Sequence, residues 1–187
     1  MKKLSPFLLF FLFSFCAFAQ GPNNIKSDPP AGAGAKSDDN SVCDTFNHIF
    51  LSAIDTFKSI KGAMDASGSF YVPHSKIPGA KSNGVFSSFY MCCYDYSSDS
   101  SKEYETFNNL IKAIKVCLTS GPAVELTNTY VREVEHSRNL MYTYYIKDLK
   151  PGYDQKLKNW CVKIEFVPKV TTSGTDYQLF VSVELRE

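Results

Sequence analysis

The sequence has little of what concerted side-chain chemistry requires. It holds three histidines and a single tryptophan. His48, His74 and His136 stand far apart, none of them three or four residues from another His or Cys. No tetrahedral zinc spacing is therefore present. No Cys-x-x-Cys occurs, which removes the usual signature of a redox dithiol at a helix N-terminus. No Gly-x-Ser-x-Gly elbow is found, and Ser97 to Ser101 read as a polar connection ending in a helix cap. No glycine-rich phosphate loop opens a helix, since Gly32 and Gly34 sit in a Pro/Ala/Asp-rich stretch. A lysine or arginine block is also missing, and the formal net charge is only +1. Without a basic footprint, nucleic-acid binding is not expected. No cofactor or metal is expected either.

A long hydrophobic run is absent too. Leu4 to Phe15 is almost wholly apolar, but a membrane-spanning helix needs roughly 20 such residues. With Lys2 and Lys3 ahead of it and Ala17-Phe18-Ala19 behind it, the run reads as a cleavable signal peptide over residues 1–19. Lipidation of Cys16 is disfavoured by the bulky Phe13 and Phe15 before it. Export to the periplasm or the extracellular space follows, with no transmembrane segment in the mature chain. Removing residues 1–19 takes away two lysines and no acid, leaving 18 basic against 19 acidic residues. Residues 20–41 contain one large apolar residue, Ile25. They cannot bury enough surface to offset their ordering entropy, so a disordered spacer is expected. Residues 42–187 make one domain of ordinary size.

What is present is patterned. Val42, Phe46, Ile49, Phe50, Ala53, Phe57 and Ile60 recur at three- and four-residue steps, predicting a first helix from an N-cap at Ser41 to a stop at Gly62. Tyr104, Phe107, Ile111, Ile114 and Leu118 predict a second, with Ser100 and Glu103 as a capping box and Gly121-Pro122 as the end. Between the helices, 69–72 and 85–96 read as strands, separated by a loop over 73–84 with two prolines and two glycines. After the second helix, 124–135 and 140–147 form a meander joined by His136 to Asn139. The last two strands alternate cleanly. Trp160, Val162, Ile164 and Phe166 oppose Cys161, Lys163 and Glu165, and Tyr177 to Leu185 repeat the pattern. Such alternation belongs to an antiparallel sheet covered on one side. The expected fold is α+β: a two-layer sandwich, two helices on one face of a mostly antiparallel sheet, in the order α-β-β-α-β-β-β-β.

Five cysteines follow the signal peptide, and in an oxidising compartment disulfides are their default use. Cys92 and Cys93 are adjacent in a strand and leave opposite faces. Cys117 lies on the buried side of the second helix. A Cys93–Cys117 bridge is expected, with Cys92–Cys117 as the alternative and Cys43–Cys161 as a second pair. The eleven tyrosines are the other feature, because Tyr offers an apolar body with a polar tip and is enriched at recognition surfaces. Met141, Tyr145 and Phe180 are predicted to share the less-covered sheet face, and Tyr71, His74 and Lys76 mark the entry of the 73–84 loop. The expected function is a secreted or periplasmic non-enzymatic binding module, of inhibitor, immunity or envelope-assembly type, whose partner is another protein or an envelope component. Two alternatives remain: a hydrolase whose residues follow no recognisable motif, and a thiol-redox or metal-handling protein.

Overall fold

The computed structural model describes residues 39–132, 139–172 and 174–186. The signal peptide, nearly all of the spacer, and His136, Ser137 and Arg138 of the expected turn lie outside the described residues. The first helix, α1 (Asp39–Leu51), is followed by a 3-10 turn (Ser52–Asp55). Four short strands come next: β1 (Lys61–Met64), β2 (Tyr71–Pro73), β3 (Ser82–Val85) and β4 (Tyr90–Ser97). Then follow α2 (Ser100–Ser120), β5 (Ala123–Arg132), β6 (Leu140–Leu149), a 3-10 turn (Gln155–Asn159), β7 (Trp160–Thr171) and β8 (Gly174–Leu185). All described strands join one antiparallel sheet in the order β1-β2-β3-β4-β8-β7-β6-β5. Among the described residues no helix is long and apolar enough to cross a membrane.

Both helices pack on the same face. Phe46, Ile49 and Phe50 of α1 and Phe107, Ile114 and Leu118 of α2 share one buried cluster with Trp160, Val162, Ile164, Leu179, Val181 and Val183 of the sheet. This is the two-layer α+β arrangement that the alternation of β7 and β8 calls for. At finer grain, the first strand block contains four short strands where the sequence shows two. β1 and β3 went unseen because Lys61–Met64 and Ser82–Val85 are too short to show a period of two.

The first helix is shorter than its periodicity predicts. It runs from Asp39, so Ser41 lies inside it rather than capping it, and it stops at Leu51. Ser52 Oγ donates back to the His48 carbonyl (2.8 Å) and Asp55 accepts from the Ser59 backbone N–H (3.1 Å). Side-chain bonds of this kind compete with the helix ladder. Thr56 and Phe57 then take left-handed φ values of 58° and 63°. For residues with a Cβ this conformation is costly. It drops the Phe57 ring into the core, edge-to-face with Trp160 at 5.3 Å. Phe57 and Ile60 are thus buried as expected, but from a turn. β1 can pair with β2 because Gly62 has no side chain: a Cβ there would stand 2.3 Å from the Val72 carbonyl oxygen.

The second helix is capped one residue earlier than predicted. Asp99 is the N-cap and accepts from the N–H groups of Ser101 and Lys102. Its C-terminus is closed by Lys150, whose ammonium donates to the Thr119 and Ser120 carbonyls at 2.7 and 2.8 Å. A cation there satisfies otherwise unpaired acceptors and complements the helix dipole.

The disulfide expectation needs correction. Cys117 is bonded to Cys43, with Cα atoms 4.7 Å apart. Neither Cys93–Cys117, Cys92–Cys117 nor Cys43–Cys161 forms. The two helices lie side by side, Asn47 Nδ2 donating to the Cys117 carbonyl at 3.0 Å. That brings the first turns of α1 against the last turn of α2. On β4, Cys92 faces the helical layer and Cys93 the opposite side, the reverse of the predicted orientation. The bridge joins helix to helix, a contact that neither helix's own pattern reveals.

Candidate functional site

The register of the sheet lays out its helix-free face row by row. Val131, Met141, Glu165, Phe180 and Cys93 lie side by side across β5, β6, β7, β8 and β4. The next row holds Thr129, Thr143, Lys163, Ser182 and Met91, and the one after it Thr127, Tyr145, Cys161 and Glu184. Directly opposed residues in an antiparallel pair point to the same side. Met141, Tyr145 and Phe180 therefore do share one face, and it is the face without helices.

They are not equally accessible. Phe180 is only 3% exposed and packs with Met91 and Cys93 in a second, smaller apolar cluster. Phe70, Phe86, Phe89 and Val167 close over it. Phe86 and Phe89 flank the β3–β4 turn and stack at 4.6 Å, so this turn folds its rings onto the sheet. The alternation of β8 gave the side on which Phe180 lies, but the β3–β4 turn supplies its cover. Met141 and Tyr145 remain half-buried. The Arg186 guanidinium sits 4.8 Å above the Tyr145 ring, a cation–π contact.

The centre of the face is charged but paired. Lys163 bonds Glu184, both partly shielded. Burial pulls the Lys163 pKa down, and the bond to Glu184 with that carboxylate's charge more than offsets it, so the ammonium is held above its ordinary value. Cys161 and Thr143 beside it are buried. A face of half-buried Met and Tyr, a satisfied ion pair and short polar side chains suits recognition of another surface.

Tyr71, His74 and Lys76 belong elsewhere. Tyr71 faces the helical layer, opposite Val85 and beneath the Lys61 ammonium at 5.1 Å. His74 and Lys76 are exposed, and the His74 N–H is tied to the Ile60 carbonyl at 2.9 Å. β2 and β6 stand five strand spacings apart in the sheet order, about 24 Å at ordinary strand separation. The fold does not bring the loop residues to Met141 and Tyr145. A β-bulge between Cys93 and Asp95 further separates the tyrosines of β4. Tyr90 and Tyr94 pack on the helical side, while Tyr96 pairs with Gln178 on the other.

A shallow depression of about 300 Å³ is lined by His48, Leu51, Ser52, Ile54, Asp55 and Ser59. It gathers a histidine, a carboxylate and hydroxyls, the types a hydrolase uses. Here Ser52 Oγ is committed to a backbone carbonyl and Asp55 to a backbone N–H. Those bonds terminate the helix instead of activating a nucleophile. Among the described residues, no three His, Cys, Asp or Glu side chains come together to hold a metal ion.

The most perturbed carboxyl was read in the sequence only as a capping residue. Glu103 is 0% exposed and neither of its oxygens finds a donor among the described residues. Burial, and next the charge of Asp95, raise its pKa to about 7 against the pull of Lys102 and Lys81. Its position four residues before Phe107, on the inward stripe of α2, was the available signal. At the other extreme, Asp65 accepts from Ser67 Oγ and from the N–H groups of Ser67, Ser69 and Phe70. The Ser67 hydroxyl above all holds its pKa down at about 2. Burial pushes the Cys92 thiol up to about 12, which removes it as a nucleophile at neutral pH.

Comparison of the chain with models of known protein families, with curated proteins and with solved structures finds no match in any of the three.

Proposed function

We propose that this protein is an exported, non-enzymatic binding module that recognises another protein or an envelope component through its helix-free sheet face. The observation that carries the reading is the one-sided cover. Two helices pack on one face of an eight-stranded sheet, and the other presents Met141, Tyr145 and Arg186 around the Lys163–Glu184 pair. Half-buried aromatic and thioether side chains beside satisfied charges match the composition of recognition surfaces. Export is supported by the basic, apolar and small-residue order of the N-terminus and by the Cys43–Cys117 bridge, since such bonds persist in oxidising compartments. Inhibitory, immunity-type and envelope-assembly roles all use a surface of this kind.

The test is a comparison of immobilised variants in extracytoplasmic extract. Met141→Ala with Tyr145→Ala should lose a partner that the unaltered protein retains, while circular dichroism and thermal midpoint stay close to the original. His74→Ala with Lys76→Ala should retain it. Loss through the His74 and Lys76 changes alone would move the site to the loop and overturn the sheet-face reading.

A further inference from the structure

The two edges of the sheet are built differently. β1 is four residues long and its pairing with β2 is irregular, which blunts it against strand addition. β5 spans ten residues and, among the described residues, pairs only with β6. After irregularities near Ala123 and Glu125, its register runs unbroken from Leu126 opposite Ile146 to Arg132 opposite Leu140. That stretch contains no proline and no lysine, and its Leu, Thr, Tyr and Val favour strands. The acid at its start, Glu125, is held by Lys147 at 2.7 Å. Val124, Tyr130 and Val131 are 57%, 50% and 42% exposed. From Leu126 to Val131 the edge has no proline, charge or bulge, and an edge of that kind takes another strand.

We propose that β5 pairs antiparallel with β5 of a second copy of this chain, about a two-fold axis at Asn128, joining two sheets into one. The sequence of the edge selects this occupant and this register. A two-fold axis at Asn128 sets Leu126 opposite the partner's Tyr130, Thr127 opposite the partner's Thr129, and Asn128 opposite the partner's Asn128. Aliphatic meets aromatic, hydroxyl meets hydroxyl and amide meets amide, each a favourable cross-strand combination. No like charges face each other between Leu126 and Tyr130. Moving the axis to Thr127 or Thr129 sets Asn128 against Leu126 or Tyr130, polar against apolar. Closed two-fold dimers are also the commonest symmetric assembly. Tyr130 already leans on Tyr142 at 6.2 Å on the helix side, and the partner's Leu126 would cover its outer side.

Sedimentation of the exported full chain over a concentration series tests this. The expected result is a monomer–dimer equilibrium. Thr127→Lys with Thr129→Lys, which opposes like charges on both sides of the axis, should weaken the dimer at least tenfold with unchanged circular dichroism. Asn128→Cys should form a disulfide-linked dimer in the absence of reductant, whereas Val131→Cys, set against the partner's Glu125, should not. A single monomeric species at every concentration overturns the proposal, as does a dimer indifferent to the lysine pair. Cross-linking through Val131→Cys but not Asn128→Cys overturns it too, and so does a foreign strand bound at β5 without self-association. The pairing runs along the β5 edge and needs neither Met141 nor Tyr145, so failure here leaves the proposed function standing.

Discussion

Glu103 couples the stability of the fold to pH through one side chain. Its carboxyl is buried with no donor among the described residues, and its pKa is raised to about 7. A carboxyl that holds its proton more tightly when folded contributes stability that is fully present below the unfolded pKa. That contribution is lost as pH rises through the folded value. The protein should therefore unfold at a higher temperature near pH 5 than near pH 8, other groups being equal. Glu103→Leu should remove most of that difference and raise the midpoint at pH 8 by several degrees, the scale of about 1–3 kcal/mol for relieving an unsatisfied buried polar group. A midpoint at pH 8 unchanged by the substitution would mean that the carboxylate finds a donor. Asp65 acts in the opposite direction. Its turn is stabilised above its unfolded pKa and loosens as pH falls toward about 2. A second residue-scale expectation concerns Cys92, whose pKa of about 12 and complete burial make it inert. Thiol-specific reagents should modify it only at the rate of global unfolding, and fast modification of the native protein would contradict its placement beneath the helices.

At the scale of elements, the helix pair is held by chemistry that strand patterns do not show. The Cys43–Cys117 bond closes 74 residues of sequence separation, and loop-closure entropy gives such a bridge about 4 kcal/mol. Cys43→Ser with Cys117→Ser should lower the unfolding free energy by about 3–4 kcal/mol in denaturant titrations. A change under about 1 kcal/mol would mean that Asn47 and the surrounding packing hold the helices without the bond. The helix stripes were legible because Phe46, Ile49 and Phe50 and Phe107, Ile114 and Leu118 must bury one side of a helix. The end of α1 was not, because Phe57 and Ile60 satisfy the same spacing from a turn in which Thr56 and Phe57 are left-handed. Burial alone does not distinguish a helix from a turn that reaches the same core.

For the whole molecule, the alternation of β7 and β8 contains the architecture. Trp160, Val162, Ile164, Val181 and Val183 all face the helices, and that one-sidedness was readable from a period of two. The candidate site was legible to the same depth. Met141, Tyr145 and Phe180 do share a face, since strand parity fixes sides. Parity says nothing of what folds over a side, and Phe86 and Phe89 bury Phe180 from a turn remote in sequence. Nor does it place strands in a sheet, which is why Tyr71, His74 and Lys76 stand at the far edge from Met141. Hydroxyl-radical footprinting of the native protein tests the uneven cover of the two faces most directly. Met141 and Tyr145 should be oxidised readily, while Trp160, at 4% exposure beneath the helices, should be protected until the protein unfolds. Native-state oxidation of Trp160 at the rate of Tyr145 would contradict the arrangement of layers and remove the proposed binding face with it.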